Sequence, residues 1–488
     1  MRRPLIRQRL AASLALTRRP LAALARRRLA VSLTLARRPL AASLALARSM
    51  PLAGSVALVG LMALALILAG GVVFGPKAGS GHGAAQTGHD ATVARPADLL
   101  ATTITRQQQR LRAVPGDWHA WAALSAAYLE KARVSADPTY YPKAEGAARE
   151  SLARHPDDNA DALIALGALA NARHDFATAR DQARAALAVN PASSDAYGVL
   201  TDALTQLGDA TGATDAVQHM LDLRPGLAAY TRASYDLELR GRTDDAADLM
   251  QRAADDAVDP YDLAFCHSQL GDLAWQVGDV ARAAREYAAA LAADPESVTA
   301  RRGRARTEAA TGRTDGALAD YAELTRRTPT PADLLEYADL LRANGRGSQA
   351  DEQVRLADAA QSLFTANGGV DGLATAAIAL ATGRPTDAVA AARDEWARRQ
   401  HVDVADTLAW ALHIAGKDAE ASVYAQRVAA TGARAAGYAY HLGMIELALG
   451  QRDAARADLT RALRTNPNFS PVDAPAARKA LADLGATP

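Results

Sequence analysis

From Gly208 onward the same small marks return at a spacing near 34 residues. Gly278, Ala283, Tyr287, Ala290 and Pro295 come back as Gly312, Ala317, Tyr321, Leu324 and Pro329. Looser copies are Gly208, Ala213, Val217, Met220, Pro225; Gly241, Ala246, Met250, Ala253, Pro260; and Gly450, Ala455, Leu459, Ala462, Pro467. An earlier copy is Gly167, Ala179, Ala183, Ala186 and Pro191. A unit this short cannot bury its own apolar face, so a kept register implies that each unit stacks on its neighbours. The marks themselves describe two helices. A Gly between two runs suits a left-handed helix end, and a Pro stops the second run and starts the next. Small residues lie where the two helices come closest. Alanine is abundant while the 488 residues include only 5 Phe and 5 Trp, which favours closely packed helices over sheets.

This pattern resembles the tetratricopeptide repeat, W-x2-L-G-x2-Y…A-x3-F…P. The resemblance implies an all-α solenoid, a right-handed superhelix of helix hairpins. Ten units are read over 115–467, beginning near Pro115, Ala160, Ser194, Leu227, Ala264, Val298, Pro331, Gly369, Val402 and Ala436. The first carries Trp118, Trp121, Leu124 and Tyr128, then an insertion from Val134 to Tyr141. The second helix after Gly347 extends to Phe364, longer than the others. Residues 97–114 read as an N-terminal helix and 468–488 as a C-terminal capping helix, because end units need covers.

The family's partners bind the concave wall of first helices. Carried onto this register, the wall includes Asp202, Tyr235, Glu238, Asp272, Trp275, Arg302 and Arg306. The resemblance therefore implies a protein or peptide partner at these positions. One subtype clamps a carboxylate with Lys and Asn. Ile164 and Ala168, then Gly198 and Asp202, stand at those places here, which argues against that subtype. In the sixth unit Arg301 and Arg304 replace Leu163 and Leu166 of the second, at sites expected to be buried. Buried charge must snorkel or pair. Two readings stand: local salt bridges, or a basic patch with Arg302 and Arg306 that receives an acidic segment.

The net charge of +1 conceals a split. Residues 1–77 hold 12 Arg, one Lys and no acid, and the first acidic residue is Asp90. The body after residue 77 carries about −12. Such a body is a poor binder of nucleic acid, whose phosphates need clustered cations. The arm over 1–50 is repetitive, with LAASLAL at Leu10–Leu16 and Leu40–Leu46. It reads either as a lipid-facing basic arm or as an extension ahead of a start at Met50. Residues 51–75 contain an uncharged run, Leu52–Phe74, long enough to cross a bilayer at about 1.5 Å per residue. With the arginines before it, the positive-inside rule keeps the N-terminus cytoplasmic and exports the repeats. A cleaved export signal or a soluble protein with an apolar leader are the alternatives. Residues 76–96 are a Gly-rich linker whose His82 and His89 read as solvated.

No HExxH, GxxxxGK[ST] or GxSxG stands in the sequence, and Cys266 is the single cysteine. The expectation is a protein without catalysis, metal or cofactor. The reading is a single-pass membrane scaffold that binds other proteins through its groove. A soluble adaptor is the alternative. The order of span, linker, RLRAVPGDWHAW at Arg110–Trp121 and repeats also resembles bacterial cytochrome c maturation factors, which implies an assembly role.

Overall fold

A computed structural model of the protein describes residues 96–485, with side chains from residue 99. The basic arm, the apolar run at 52–74 and the linker up to residue 95 lie outside the described residues. All described elements belong to one compact unit, within Leu52–Pro488. They are helices, and among the described residues no strand occurs.

Ten antiparallel hairpins follow one another. Their first (A) helices are Trp118–Ser135, Ala160–Ala172, Ser194–Leu207, Leu227–Leu239, Pro260–Gln276, Val298–Ala310, Pro331–Ala343, Gly372–Ala381, Val402–Ile414 and Ala436–Ala448. Their second (B) helices are Tyr141–Arg154, Phe176–Val189, Ala210–Leu223, Thr243–Asp255, Val280–Ala293, Thr314–Arg327, Gly347–Ala366, Pro385–Arg398, Asp418–Ala430 and Arg452–Thr465. The insertion in hairpin 1 forms a 3-10 turn at Pro138–Tyr140, and the B helix of hairpin 7 runs two residues past Phe364. Pro96–Ala113 packs Ile104 and Leu111 on hairpin 1, and Gln108 Nε2 donates to Tyr128 Oη at 2.8 Å. At the other end Asp473–Asp483 buries Ala474, Ala477 and Leu481 against Leu459 and Ala462.

Each hairpin is written locally. The A helices of hairpins 3–10 end on a glycine at positive φ, such as Gly208 at 83° and Gly278 at 74°, the left-handed conformation that glycine adopts without strain. An aspartate then caps several B helices: Asp209 accepts from Gly212 N at 2.9 Å, and Asp279 from Arg282 N at 2.9 Å. Hairpins 1 and 2 depart from the rule. Ala136 (φ 49°) and His174 (φ 61°) hold the left-handed position there.

Small residues set the helix spacing. A Cβ on Gly167 would lie 2.8 Å from Val199 Cγ1, and one on Gly443 2.9 Å from Leu459 Cγ. Ala179, Ala183, Ala186, Ala283 and Ala290 are fully buried between helices.

The array winds back onto itself. The A-to-B turns of hairpins 2–5 meet the chain after the B helices of hairpins 7–10, in order. Val370 N donates to Arg173 O at 3.0 Å, and Arg173 Nε to Asn367 O at 3.1 Å. Gln400 N donates to Leu207 O at 3.4 Å and Arg398 Nη2 to His174 O at 3.2 Å. Gly241 lies against Gly432 O, and Asn466 Nδ2 donates to Trp275 O at 2.8 Å. This seam joins residues about 190 apart in sequence. Asn466 is wholly buried, so Asn466→Ala leaves the Trp275 carbonyl without that donor. The expected cost is about 1–3 kcal/mol of unfolding free energy, read from denaturant melts.

Arg301 and Arg304 are not buried as the repeat register had implied. Both stay part-exposed and reach Asp320 on their own hairpin's B helix, Arg304 at 2.6 and 2.7 Å and Arg301 at 3.4 Å. Leu163 and Leu166 are themselves only part-buried, because these positions sit on the helix flank. The arginines that do enter the interior are Arg302 and Arg306.

Candidate functional site

The A helices line the inside of the wound array, and the seam closes it. All seven wall residues, Asp202, Tyr235, Glu238, Asp272, Trp275, Arg302 and Arg306, are between 1% and 7% exposed. The fold brings them together, but as an interior rather than an open groove. Tyr235 and Trp275 pack with Ala405, Val428 and Tyr438 from hairpins 9 and 10, across the seam. The charges are spent internally. Arg232 holds Asp202 through two bonds, Nε at 2.8 Å and Nη2 at 2.7 Å. Arg302 Nη1 donates to Asp333 at 3.0 Å, and Arg306 pairs through Nε and Nη2 with Glu336. Tyr287 Oη donates to Asp272 Oδ1 at 2.6 Å. All four arginines of the cluster, Arg301, Arg302, Arg304 and Arg306, are paired with acids.

Burial pushes the Glu238 carboxyl from its ordinary 4.5 up to about 8, against the hydrogen bond that it accepts from Gln276. The folded protein thus keeps a proton that the unfolded chain has lost. This group's contribution to stability is complete below pH 4.5 and falls as pH rises toward 8, by at most about 1.4 kcal/mol per unit. Melting temperature at pH 7.5 should lie below that at pH 6. Glu238→Gln, which keeps an acceptor for Gln276, should flatten that difference. An unchanged slope in the variant would remove Glu238 as its source.

Several interior residues were not signalled by the repeat pattern. Arg399 reaches Gln206 and Glu395, Tyr438 donates to Asp403, and His441 Nδ1 meets Asp406 at 2.9 Å. Each joins the later hairpins to this interior, and the seam that selects them is a tertiary feature.

Part of the lumen is open. It is a cavity of about 440 Å³ along the A helices of hairpins 7–10, and two of the seven wall residues, Trp275 and Arg306, border it. Its floor is one face of Gly372–Ala381, with Leu373, Ala374, Ala377, Leu380 and Ala381 at helical spacing. Trp410 and Phe469 form a wall. At one end stand His174 and Asp371; at the other Asp339, Arg342 and Asp473. Burial, then repulsion by Asp473, raises the Asp339 carboxyl to about 6, although Arg342 lies 3.4 Å away. Burial holds the His174 imidazole below its ordinary range, so the ring is neutral at pH 7.

A stack of helix hairpins with small residues at each helix crossing is a repeat solenoid. The tetratricopeptide-repeat family matches at residues 165–228, 268–332 and 436–469, so the chain carries tetratricopeptide repeats. No curated protein matches the chain. Among solved structures, a tetratricopeptide repeat protein from Parabacteroides merdae is 18% identical with a TM-score of 0.32. It covers 53% of this chain and 98% of its own. Yeast Tom70 is 16% identical with a TM-score of 0.38, covering 76% of this chain and 88% of that one. The human IFIT1 dimer with PPP-AAAA is 12% identical with a TM-score of 0.42, covering 69% and 79%.

Among the described residues no group of His, Cys, Asp or Glu could hold a metal ion. Cys266 is buried, and burial raises its thiol to about 12, far from the thiolate that chemistry would need.

Proposed function

We propose that this protein is a non-catalytic scaffold for protein partners, tethered to a membrane by residues 52–74 with its repeats on the far side. The supporting observation is the array itself: helix hairpins occupy the chain from Trp118 to Thr465, with helices packed on both ends. Repeats of this kind serve as surfaces. The seam changes which surface is offered. With the A-helix wall turned inward, partners meet the outer B helices and the turn edges, not the seven wall residues. The tether rests on the uncharged run and its arginine flank. Among the described residues no helix is long and apolar enough to cross a membrane, and 52–74 lie outside them.

The test is cross-linking of the tagged full chain in its own membrane, followed by carbonate extraction. A scaffold yields the same cross-linked proteins in repeated preparations and resists extraction. Cross-links that map to the interior wall, or none that recur, would end the reading of an outer docking surface. Release by carbonate would end the tether.

A further inference from the structure

The left-handed turn position that is glycine in hairpins 3–10 is His174 in hairpin 2. A side chain there is strained, by an amount on the order of 1 kcal/mol, and needs a reason. His174 is 8% exposed, stacks near Phe176 and Phe364, and faces the cavity. Its Nδ1 has no hydrogen-bond partner; the nearest acid, Asp371 Oδ2, is 3.8 Å away. Packing alone would not require an imidazole whose nitrogen is left unsatisfied.

The opposite end of the cavity is marked by charge. Arg342 Nη2 lies 3.4 Å from Ala381 O, at the far end of the floor helix, and Nη1 lies 3.4 Å from Asp339. Asp351 is 3.6 Å from the same guanidinium. The Asp473 carboxylate makes no hydrogen bond or ion pair among the described residues. Arg342 is shared by Asp339 and Asp351, and Arg306 beside them is taken up by Glu336, which leaves Asp473 without a cation of its own. The His174 end differs: two arginines, Arg398 and Arg399, stand near it with two acids, Glu395, which both of them pair, and Asp371. From Asp371 to Ala381 the floor rises about 15 Å at 1.5 Å per residue. The strip between is apolar, with the Trp410 ring beside it.

We propose that this cavity binds a slender monocationic amine: its ammonium lies between Asp339 and Asp473, its apolar body along the floor helix, and a neutral hydrogen-bonding group at its far end against His174. The charge at one end, the unsatisfied imidazole at the other and the apolar strip between define the three parts. The site does not depend on the scaffold reading.

The probe is aminodecanol, with amine and hydroxyl at opposite ends of a decyl chain. Binding is read by calorimetry on the purified full chain, with the heat of each probe added to the matching protein-free medium subtracted. Aminodecanol should bind at least tenfold more tightly than decanol or hydroxydecanoate. Asp473→Asn, at a part-exposed position, should weaken it at least tenfold. His174→Gly restores the turn residue of the other hairpins, so the fold is kept; circular dichroism checks this. It should weaken aminodecanol several-fold and leave decylamine, which lacks the hydroxyl, unchanged. Equal binding of hydroxydecanoate would overturn the proposal. So would affinity indifferent to both variants, which is partition into apolar surface, or no binding by any probe.

Discussion

Replacing Gly208, Gly241 and Gly278 together by alanine should unwind the array while leaving its hairpins helical. All three sit at positive φ, 83°, 70° and 74°. Alanine there costs about 1 kcal/mol each from backbone strain alone. The larger effect is steric. A Cβ on Gly208 would stand 2.6 Å from Gln400 O, and one on Gly278 2.5 Å from Thr465 O. On Gly241 it would meet Gly432 O closer still. These obstacles are backbone across the seam, which cannot rotate aside, so each site adds about 2 kcal/mol. The control is built into the repeats. Gly312, Gly345 and Gly383 have φ of 80°, 71° and 70°, and an added methyl there would meet nothing within 4 Å. Their triple alanine variant carries the strain alone. Small-angle scattering should show an enlarged radius of gyration for the first variant and none for the second. Equal radii, with equal melting temperatures, would show that the seam does not hold the array closed.

The second large effect concerns Tyr287. Its fully buried ring is gripped between Gly271 of hairpin 5 and Gly303 of hairpin 6. A Cβ at Gly271 would lie 2.5 Å from Tyr287 Cε1, and one at Gly303 would enter the ring. The ring cannot swing away without losing the bond from its hydroxyl to Asp272. Gly303→Ala should therefore cost about 3 kcal/mol, the upper end of overpacking. Tyr287→Leu on its own opens a cavity and leaves the buried Asp272 carboxylate without that donor. The two changes together should cost less than their sum, since the smaller side chain makes room for the methyl. Additive losses in denaturant melts would place the damage elsewhere.

Hairpins and their order were legible because their determinants are local. Gly at the turn and Pro after the B helix each act within a few residues, as Gly278 and Pro295 show; the Asp279 cap between them, equally local, went unread. The wall residues were legible too, as positions on A helices. Their burial was not. Whether Trp275 meets a partner or Asn466 depends on how far the array turns per hairpin, and small crossing angles accumulate over five hairpins without any one residue recording the sum. Arg302 and Arg306 illustrate the same limit. The pattern marks a cationic cluster, while the acids that neutralise it, Asp333 and Glu336, come from the next hairpin at distances the period leaves open.

The joining of hairpins 2–5 to the segments that follow hairpins 7–10 has a consequence for ancestry. An open stack can gain or lose a unit by duplication or deletion and still close each junction. Here every mating pair is five places apart, so a unit added or dropped between hairpins 5 and 7 sets all four pairs out of step at once. Inheritance of this architecture is bound to a fixed count, with change confined to units substituted in place or appended outside the joined stretch.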